Sequence, residues 1–419
     1  MNLCSLILLA LGLCATSSLA SCTNEKVVYC FWGTWATYRQ GDGQFNVEDL
    51  NTELCTHISY TFFGIDVNGF MKSLDPWLDL PDGRDYLRKF SAIKERNPDI
   101  KRIFAVGGFN EGSEKYSVMA ANKTLRTNFI NSTLQMVLDY DVDGMELDWE
   151  FPNARDTVHG EEDIDNFTQL LKELREAFDE YGLSLTAAVS AVEASASQYY
   201  DVKGISQYLD YINVMTYDLH GPWDNVTGYN AALHKGEGDE DEPKESLFTV
   251  DVAIDYWINS GAPPSKLLLG VPFYGHSFKL EDASKHGLKS NTTGPGISGP
   301  YTLTPGHVGY NEFCVMLQTE DWNVEHDHKA RVPYAYKDLD WVSFDDPHSI
   351  RLKAEYARKR NLAGVMLWSI ETDDFRAKCG SEDFPMLRAI NRGLGREVPP
   401  PTATTTVIGT SPPTTTVEN

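Results

Sequence analysis

Asp143-Gly144-Met145-Glu146-Leu147-Asp148-Trp149-Glu150-Phe151-Pro152 sets three carboxylates on alternate residues, with apolar side chains between them. Residues two apart on a β-strand share a face, so Glu146, Asp148 and Glu150 project together, spaced about 6.5–7 Å. Met145, Leu147 and Trp149 point the opposite way, toward covering helices. A solvated edge strand would show the same period, but the apolar flanks place this one inside a sheet covered on both faces. Carboxylates so close to one another and facing inward raise at least one pKa, which keeps one acid protonated near neutral pH. That is the state needed to protonate a leaving group.

Similar short runs recur on either side: Val27–Trp32, Thr56–Phe63, Lys101–Val106, Gly144–Trp149, Leu183–Val189, Tyr211–Tyr217, Leu267–Phe273 and Gly364–Ser369. They are nearly continuous in apolar residues, as strands buried on both faces are. Amphipathic patterns lie between them, among them Leu125–Tyr140, Asp163–Tyr181, Leu247–Ser260 and Ser349–Lys359. Alternating βα units in this number predict an α/β chain folded as a (β/α)₈ (TIM) barrel. The rival is an open doubly wound sheet, but no GxGxxG follows the first strand. The Gly-, Pro- and Tyr-rich stretch 279–341 is too long for a plain connection. It reads as a small α+β insertion between the seventh strand and the last barrel helix, walling one side of the barrel's C-terminal face. The expected division is a signal peptide over 1–20, a catalytic barrel over 21–396 and a Thr/Pro-rich tail over 397–419.

The 419 residues are 42% hydrophobic and carry a formal net charge of −25. That charge repels nucleic acid and anionic lipid, and leaves a neutral polysaccharide as an acceptable partner. Leu6–Leu13 is an apolar run too short to span a membrane, and Ser18-Leu19-Ala20 offers a small-residue cleavage site. Together they read as a secretory leader, so an extracellular location is expected. Removing it takes Cys4 and Cys14 and leaves Cys22, Cys30, Cys55, Cys314 and Cys379, an odd set with no CxxC spacing. Sequons begin at Asn122, Asn131, Asn166, Asn225 and Asn291 as candidate N-glycosylation sites. The run Gly236–Glu245 reads as a solvated acidic loop and the pair His326/His328 as an exposed loop of the insertion, so no metal is expected. The Pro- and Thr-rich tail has no hydrophobic period from which to build a core.

Asp143–Glu150 resembles the DGxDxDWE pattern of glycoside hydrolase family 18, the chitinase family, differing at Glu146. The resemblance runs from about Val27 to Leu394. It is carried in order by Cys30–Arg39, Gly107-Gly108-Phe109, Asn213–Asp218 with Gly221-Pro222-Trp223, Gly270–Gly275 and Gly364–Ser369. It implies a secreted, endo-acting chitinase that retains anomeric configuration without an enzymic nucleophile, family 18 being a substrate-assisted exception among glycosidases. In that scheme Glu150 protonates the glycosidic oxygen and the substrate's own N-acetyl carbonyl attacks the anomeric carbon. Asp148, backed by Glu146, orients the acetamido group; Tyr217 hydrogen-bonds its oxygen and Asp218 holds the sugar on the same side. Sugar-binding positions implied by the resemblance are Trp35, Phe62, Phe109, Met215, Trp223, Tyr274 and Trp368, with Trp368 as the floor under the distorted ring.

The resemblance also implies the pairings Cys30–Cys55 and Cys314–Cys379; adjacent parallel strands bring the first pair together, and the second would pin the insertion beside the cleft. Cys22 is left over. No cofactor or metal is implied; the protein is expected to be a monomer whose partners are chitin and N-acetylglucosamine oligomers. Three residues depart from the family's usual choice: Glu146 for Asp, Phe109 for Trp and His276 for Arg. The main rival reading is a non-catalytic chitin- or oligosaccharide-binding lectin on the same barrel, which typically lacks the acid present here as Glu150. A third is an endoglycosidase acting on the chitobiose core of N-glycans.

Overall fold

A computed structural model describes residues 25–401; the leader, Cys22 and most of the Thr/Pro tail lie outside the described residues. Eight parallel strands close on themselves: β1 Val27–Gly33, β2 His57–Ile65, β3 Lys101–Gly107, β4 Gly144–Asp148, β5 Ser184–Ser190, β6 Tyr211–Met215, β7 Leu267–Pro272 and β8 Gly364–Trp368. Each pairs with its neighbour in sequence, and β1 pairs with both β2 and β8, so no barrel edge remains. The expected strands lie within two residues of these. Alternation sorts each strand into two layers. In β1, Val27, Tyr29 and Phe31 fill the barrel interior with Ile103, Ala105, Leu268 and Met366, whereas Val28, Cys30 and Trp32 face the helices. The helices obey the complementary period: Glu162–Asp179 buries Phe167, Leu170, Leu171, Leu174 and Phe178, one apolar stripe laid on the sheet.

The insertion is an antiparallel sheet with a helix, Tyr310–Thr319. Its strand Tyr274–Leu280 pairs on one side with Asp340–Ser343 and on the other with Thr292–Pro295 and His307–Gly309; Val332–Lys337 and Asn323–Asp327 complete it. It therefore begins at Tyr274, directly after β7, and ends at Ser343, a few residues beyond the expected span at each end. The apolar run continues from β7 into the insertion, so the change of sheet leaves no mark in the hydrophobic pattern. One face of this sheet packs Tyr229, Phe278, Leu280, Tyr334 and Trp341, the other Val308, Phe313, Ala335 and Val342. His326 lies on a strand rather than a loop, exposed, with Nε2 3.3 Å from Asp346. The structure joins Cys30 to Cys55 and Cys314 to Cys379, the latter tying the insertion helix to the segment after β8. Asp239 and Glu242 in the acidic loop both pair with Lys289.

Candidate active site

Above the C-terminal ends of the barrel strands lies a cavity of about 570 Å³, the position where barrel enzymes place their chemistry. Asp148 ends β4 inside the barrel, and Glu150 follows in the turn leading out of it. The turn is pinned from outside: the Trp149 indole N–H donates to Ser113 Oγ at 2.6 Å, and that hydroxyl donates to the Phe151 carbonyl at 2.8 Å. Trp149 is buried against Tyr116 and Phe167. Period two thus delivers the acid to the cavity by fixing its apolar neighbour in the helical layer. Gly107 and Gly108, at the end of the adjacent strand β3, pack directly against Asp148, the Gly108 N–H donating to its carbonyl at 2.8 Å. Both have positive φ, 122° and 89°, and a Cβ would fall 2.0 Å from the Asp148 carbonyl oxygen at the first and 2.7 Å from the Phe62 ring at the second. Only glycine allows that approach.

The three carboxyls are stacked by depth. Glu146 lies wholly inside the barrel, Asp148 nearly so, and Glu150 reaches the cavity. All three are held well above the usual carboxylate range. For Glu146 the cause is burial first, with the Ala188 backbone amide pulling the other way and the charge on Glu150 adding to the rise. For Asp148 it is burial and then the charge of Glu146. For Glu150 it is burial, then Asp148 and Asp218, opposed in part by Arg155. Asp218, on the open side of the cavity, goes the other way: desolvation by the surrounding walls works to raise it, but hydrogen bonds and charge from His276 and the bond from Tyr274 outweigh that and hold it below the usual range. A protonated acid and an ionised carboxylate therefore share one cavity, the division of labour that acid catalysis beside a developing positive charge requires.

Tyr217 lines the cavity, its phenol raised well above normal by burial and then by Asp148 and Asp218, so it remains an O–H donor. Asp218 Oδ1 accepts from Tyr274 Oη at 2.5 Å and lies 2.7 Å from His276 Nε2. His276 Nδ1 is 3.1 Å from the Gly306 carbonyl, so each ring nitrogen that carries a proton has an oxygen to receive it. Beside them His307, stacked 4.5 Å from the Tyr274 ring, is pushed down to about 4 by burial and by its neighbour His276.

Trp368, Phe62, Trp35 and Phe31 form a continuous aromatic wall. The Phe62 and Trp368 rings stack 5.7 Å apart at 19°, and Trp35 lies 6.3 Å from Phe62. Such faces suit the apolar C–H faces of sugars. Phe109 stands at the rim, 61% exposed, with the Arg155 guanidinium 4.0 Å over its ring. That guanidinium also donates to the carbonyls of Phe109 and Glu150, at 2.7 and 3.1 Å.

Of the residues expected from sequence, Glu150, Asp148, Tyr217, Asp218, Trp35, Phe62, Phe109, Met215, Tyr274 and Trp368 line this cavity, and Glu146 lies beneath it. Trp223 does not line it. Its ring stands largely exposed, edge-on to His276 at 5.1 Å, because the loop after β6 carries it outward past Asp218. Sequence reasoning missed Leu74, Asp75, Asp79, Asn110 and Glu111, which come from loops after β2 and β3. Asp79 is buried and bonded to Tyr60 and Ser73, and burial lifts it to about 6. Its only sequence signal is the Asp-Pro-Trp-Leu-Asp helix start, which does not reveal which side faces the cavity.

The departure at Glu146 is accommodated by small neighbours. Its register partners on β3 and β5 are Ala105 and Thr186, which leave room for the extra methylene. Glu146→Asp is therefore expected to preserve or raise turnover. Glu146→Ala should lower it about tenfold, equivalent to ~1.4 kcal/mol in the barrier, and shift the pH–rate profile, because Asp148 then ionises without a like charge beneath it. An unchanged profile in both variants would reduce position 146 to packing alone.

A sequence profile of the glycosyl hydrolases family 18 matches residues 27–373. The chain is 39% identical over 399 residues to a Drosophila melanogaster protein named probable chitinase 2, covering 88% of this chain and 80% of that one. Its fold is similar to the crystal structure of Ostrinia furnacalis Group IV chitinase in complex with allosamidin, with a TM-score of 0.87, 53% identity, and coverage of 88% of this chain and 99% of that one. It is also similar to human YKL-39, described as a pseudo-chitinase with retained chitooligosaccharide binding, at TM-score 0.81, 32% identity, and coverage of 88% and 100%. The carboxylate strand, the barrel that buries it and the extent of these matches together place the chain in glycosyl hydrolase family 18.

Proposed function

We propose that the protein is an endo-acting chitinase that hydrolyses β-1,4 bonds between N-acetylglucosamine units with retention of configuration. The observation that carries this reading is the half-buried acid Glu150, raised by desolvation and then by Asp148 and Asp218, in a cavity walled by aromatic rings. Glu150 protonates the glycosidic oxygen as the bond breaks and then, as a carboxylate, takes a proton from the incoming water. The acetamido carbonyl of the same sugar attacks the anomeric carbon, an intramolecular step that gains from proximity. Asp148, its proton passing to Glu146 beneath it, accepts the acetamido N–H and faces the positive charge that forms, the Tyr217 hydroxyl donates to the acetamido oxygen, and Trp368 underlies the ring. No metal or cofactor enters this scheme. Secretion accords with the leader-like N-terminus and with two disulfides, which persist in oxidising compartments. No helix among the described residues is long and apolar enough to cross a membrane.

The lectin reading shares the barrel and the aromatic wall, and similarity to a pseudo-chitinase shows that fold alone does not separate the two. The acid favours the enzyme. Incubation with the pentamer of N-acetylglucosamine, followed by mass spectrometry, is expected to give dimer and trimer. Intact pentamer under conditions where it binds would establish the lectin. Release of glycan from a high-mannose glycoprotein in preference to cleavage of the pentamer would establish the endoglycosidase.

A further inference from the structure

Asp218 is a non-glycine residue with φ +54°, in the left-handed region that such residues seldom occupy. What holds it there is Asn230, a buried residue with no role in the scheme above. Asn230 Oδ1 accepts the Asp218 backbone N–H at 2.8 Å, and the Asn230 carbonyl accepts the Leu219 N–H at 3.0 Å. The two remaining polar groups of Asn230 reach the insertion. Its Nδ2 donates to the Tyr274 carbonyl at 3.2 Å, and its backbone N–H donates to Ser343 Oγ at 2.8 Å. Ser343 is the register partner of His276 across the insertion sheet. Asn230 is thus anchored by two paired strands of the insertion, and one of them is the strand whose Tyr274 and His276 side chains hold Asp218 Oδ1. Backbone and carboxylate of Asp218 are fastened to one rigid element, and all four hydrogen-bonding functions of Asn230 are used in doing so.

We infer that Asn230 is a positioning residue for Asp218, locking its left-handed backbone so that one carboxylate oxygen is spent on Tyr274 and His276 and the other is presented to the sugar. The inference rests on the reading of the cavity as a glycosidase site. It gives the insertion a task beyond walling the cleft: it carries the cradle of a site residue that belongs to the loop after β6.

The test is steady-state kinetics on the N-acetylglucosamine pentamer across pH, with thermal melting. Asn230→Ala leaves the Asp218 N–H without its acceptor and should lower kcat about 10–100-fold, the scale of a misplacement of roughly 1 Å. Asp218 is one of the charges that raise Glu150, so its displacement should move the alkaline limb of kcat/KM to lower pH. Asn230→Asp keeps the acceptor and should recover part of kcat. As a control, Asn391 is equally buried and bonds the Leu54 and Leu387 carbonyls, outside the cavity. Asn391→Ala should lower the melting temperature and leave the pH profile unmoved. Should Asn230→Ala fail to fold, Ser343→Ala removes only the hydroxyl that accepts the Asn230 backbone N–H and should give changes of the same sign and smaller size. Variants at 230 and 343 that lose melting temperature alone, with wild-type kcat and pH profile, overturn the inference. Wild-type protein that fails to cut the pentamer overturns the reading of the site instead, and the inference with it.

Discussion

Glu150→Gln is expected to abolish nearly all turnover while leaving the fold and the binding of oligosaccharide intact. The substitution is isosteric, so the aromatic wall and the pinned turn between Trp149 and Phe151 are undisturbed. What it removes is the proton that burial, Asp148 and Asp218 together keep on the acid near neutral pH. General acid catalysis contributes about 10²–10⁴-fold, and an unactivated sugar is a poor leaving group that draws on the full amount. The sign of the pH dependence follows from the same residue. Its pKa is raised, so wild-type activity is held at neutral pH and falls as pH rises through that value, and this alkaline limb should vanish with the Gln variant. Retention of more than a tenth of the wild-type rate on unactivated oligomers would remove Glu150 from the role of acid.

The second large effect is expected from the substrate. If the acetamido carbonyl is the nucleophile, fully deacetylated chitosan and cellulose should not be cleaved, although both present β-1,4 bonds. Fresh products from the N-acetylated oligomer should be the β-anomer, because two successive inversions at the anomeric carbon restore the starting configuration. The protein supplies one competitor for the nucleophile's role, Asp218, which His276 and Tyr274 keep ionised. Its protein partners, Tyr274 and His276, both sit on Oδ1 and leave Oδ2 to the cavity, whereas Asp79 has both oxygens bonded, to Tyr60 and Ser73, Asp75 has both bonded, to Leu78 N–H and Tyr38, and Glu111 is paired with Lys115. Cleavage of deacetylated substrate with β-product would therefore transfer the nucleophile to Asp218. Rapid NMR showing α-product would instead exclude a double displacement of either kind, leaving direct attack by water.

The eight strands and their order were legible because a buried parallel strand is a local statement: a short, nearly continuous apolar run, bounded by helical pattern, whose partners on both sides are its neighbours in sequence. The carboxylate strand was legible for the same reason. Alternation alone assigns Met145, Leu147 and Trp149 to the helical layer and Glu146, Asp148 and Glu150 to the interior, and no distant residue need be known. The motif resemblance then attached roles to Tyr217, Asp218 and Trp368. Trp223 shows where this reasoning stops. It follows the β6 motif closely in sequence, yet the loop path carries it to the rim beside His276 rather than into the cavity.

By itself, then, the chain's sequence determined the barrel, the acid at the end of β4 and the direction in which it faces, since each follows from periodicity over fewer than ten residues. Tertiary structure alone decided what surrounds that acid. Asp75, Asp79 and Glu111 enter the cavity from short helical turns in the connections after β2 and β3, whose course across the barrel mouth no local pattern encodes. The strand Tyr274–Leu280 begins without any break in the apolar run from β7, and only its pairing with a segment more than sixty residues further along brings Ser343 and His276 side by side. Asn230 gains its function solely because that sheet meets the loop after β6. The physical reason is range: burial and period act between near neighbours in the chain, whereas pKa shifts and hydrogen-bonded cradles are set by groups that are remote in sequence and meet only in the closed fold.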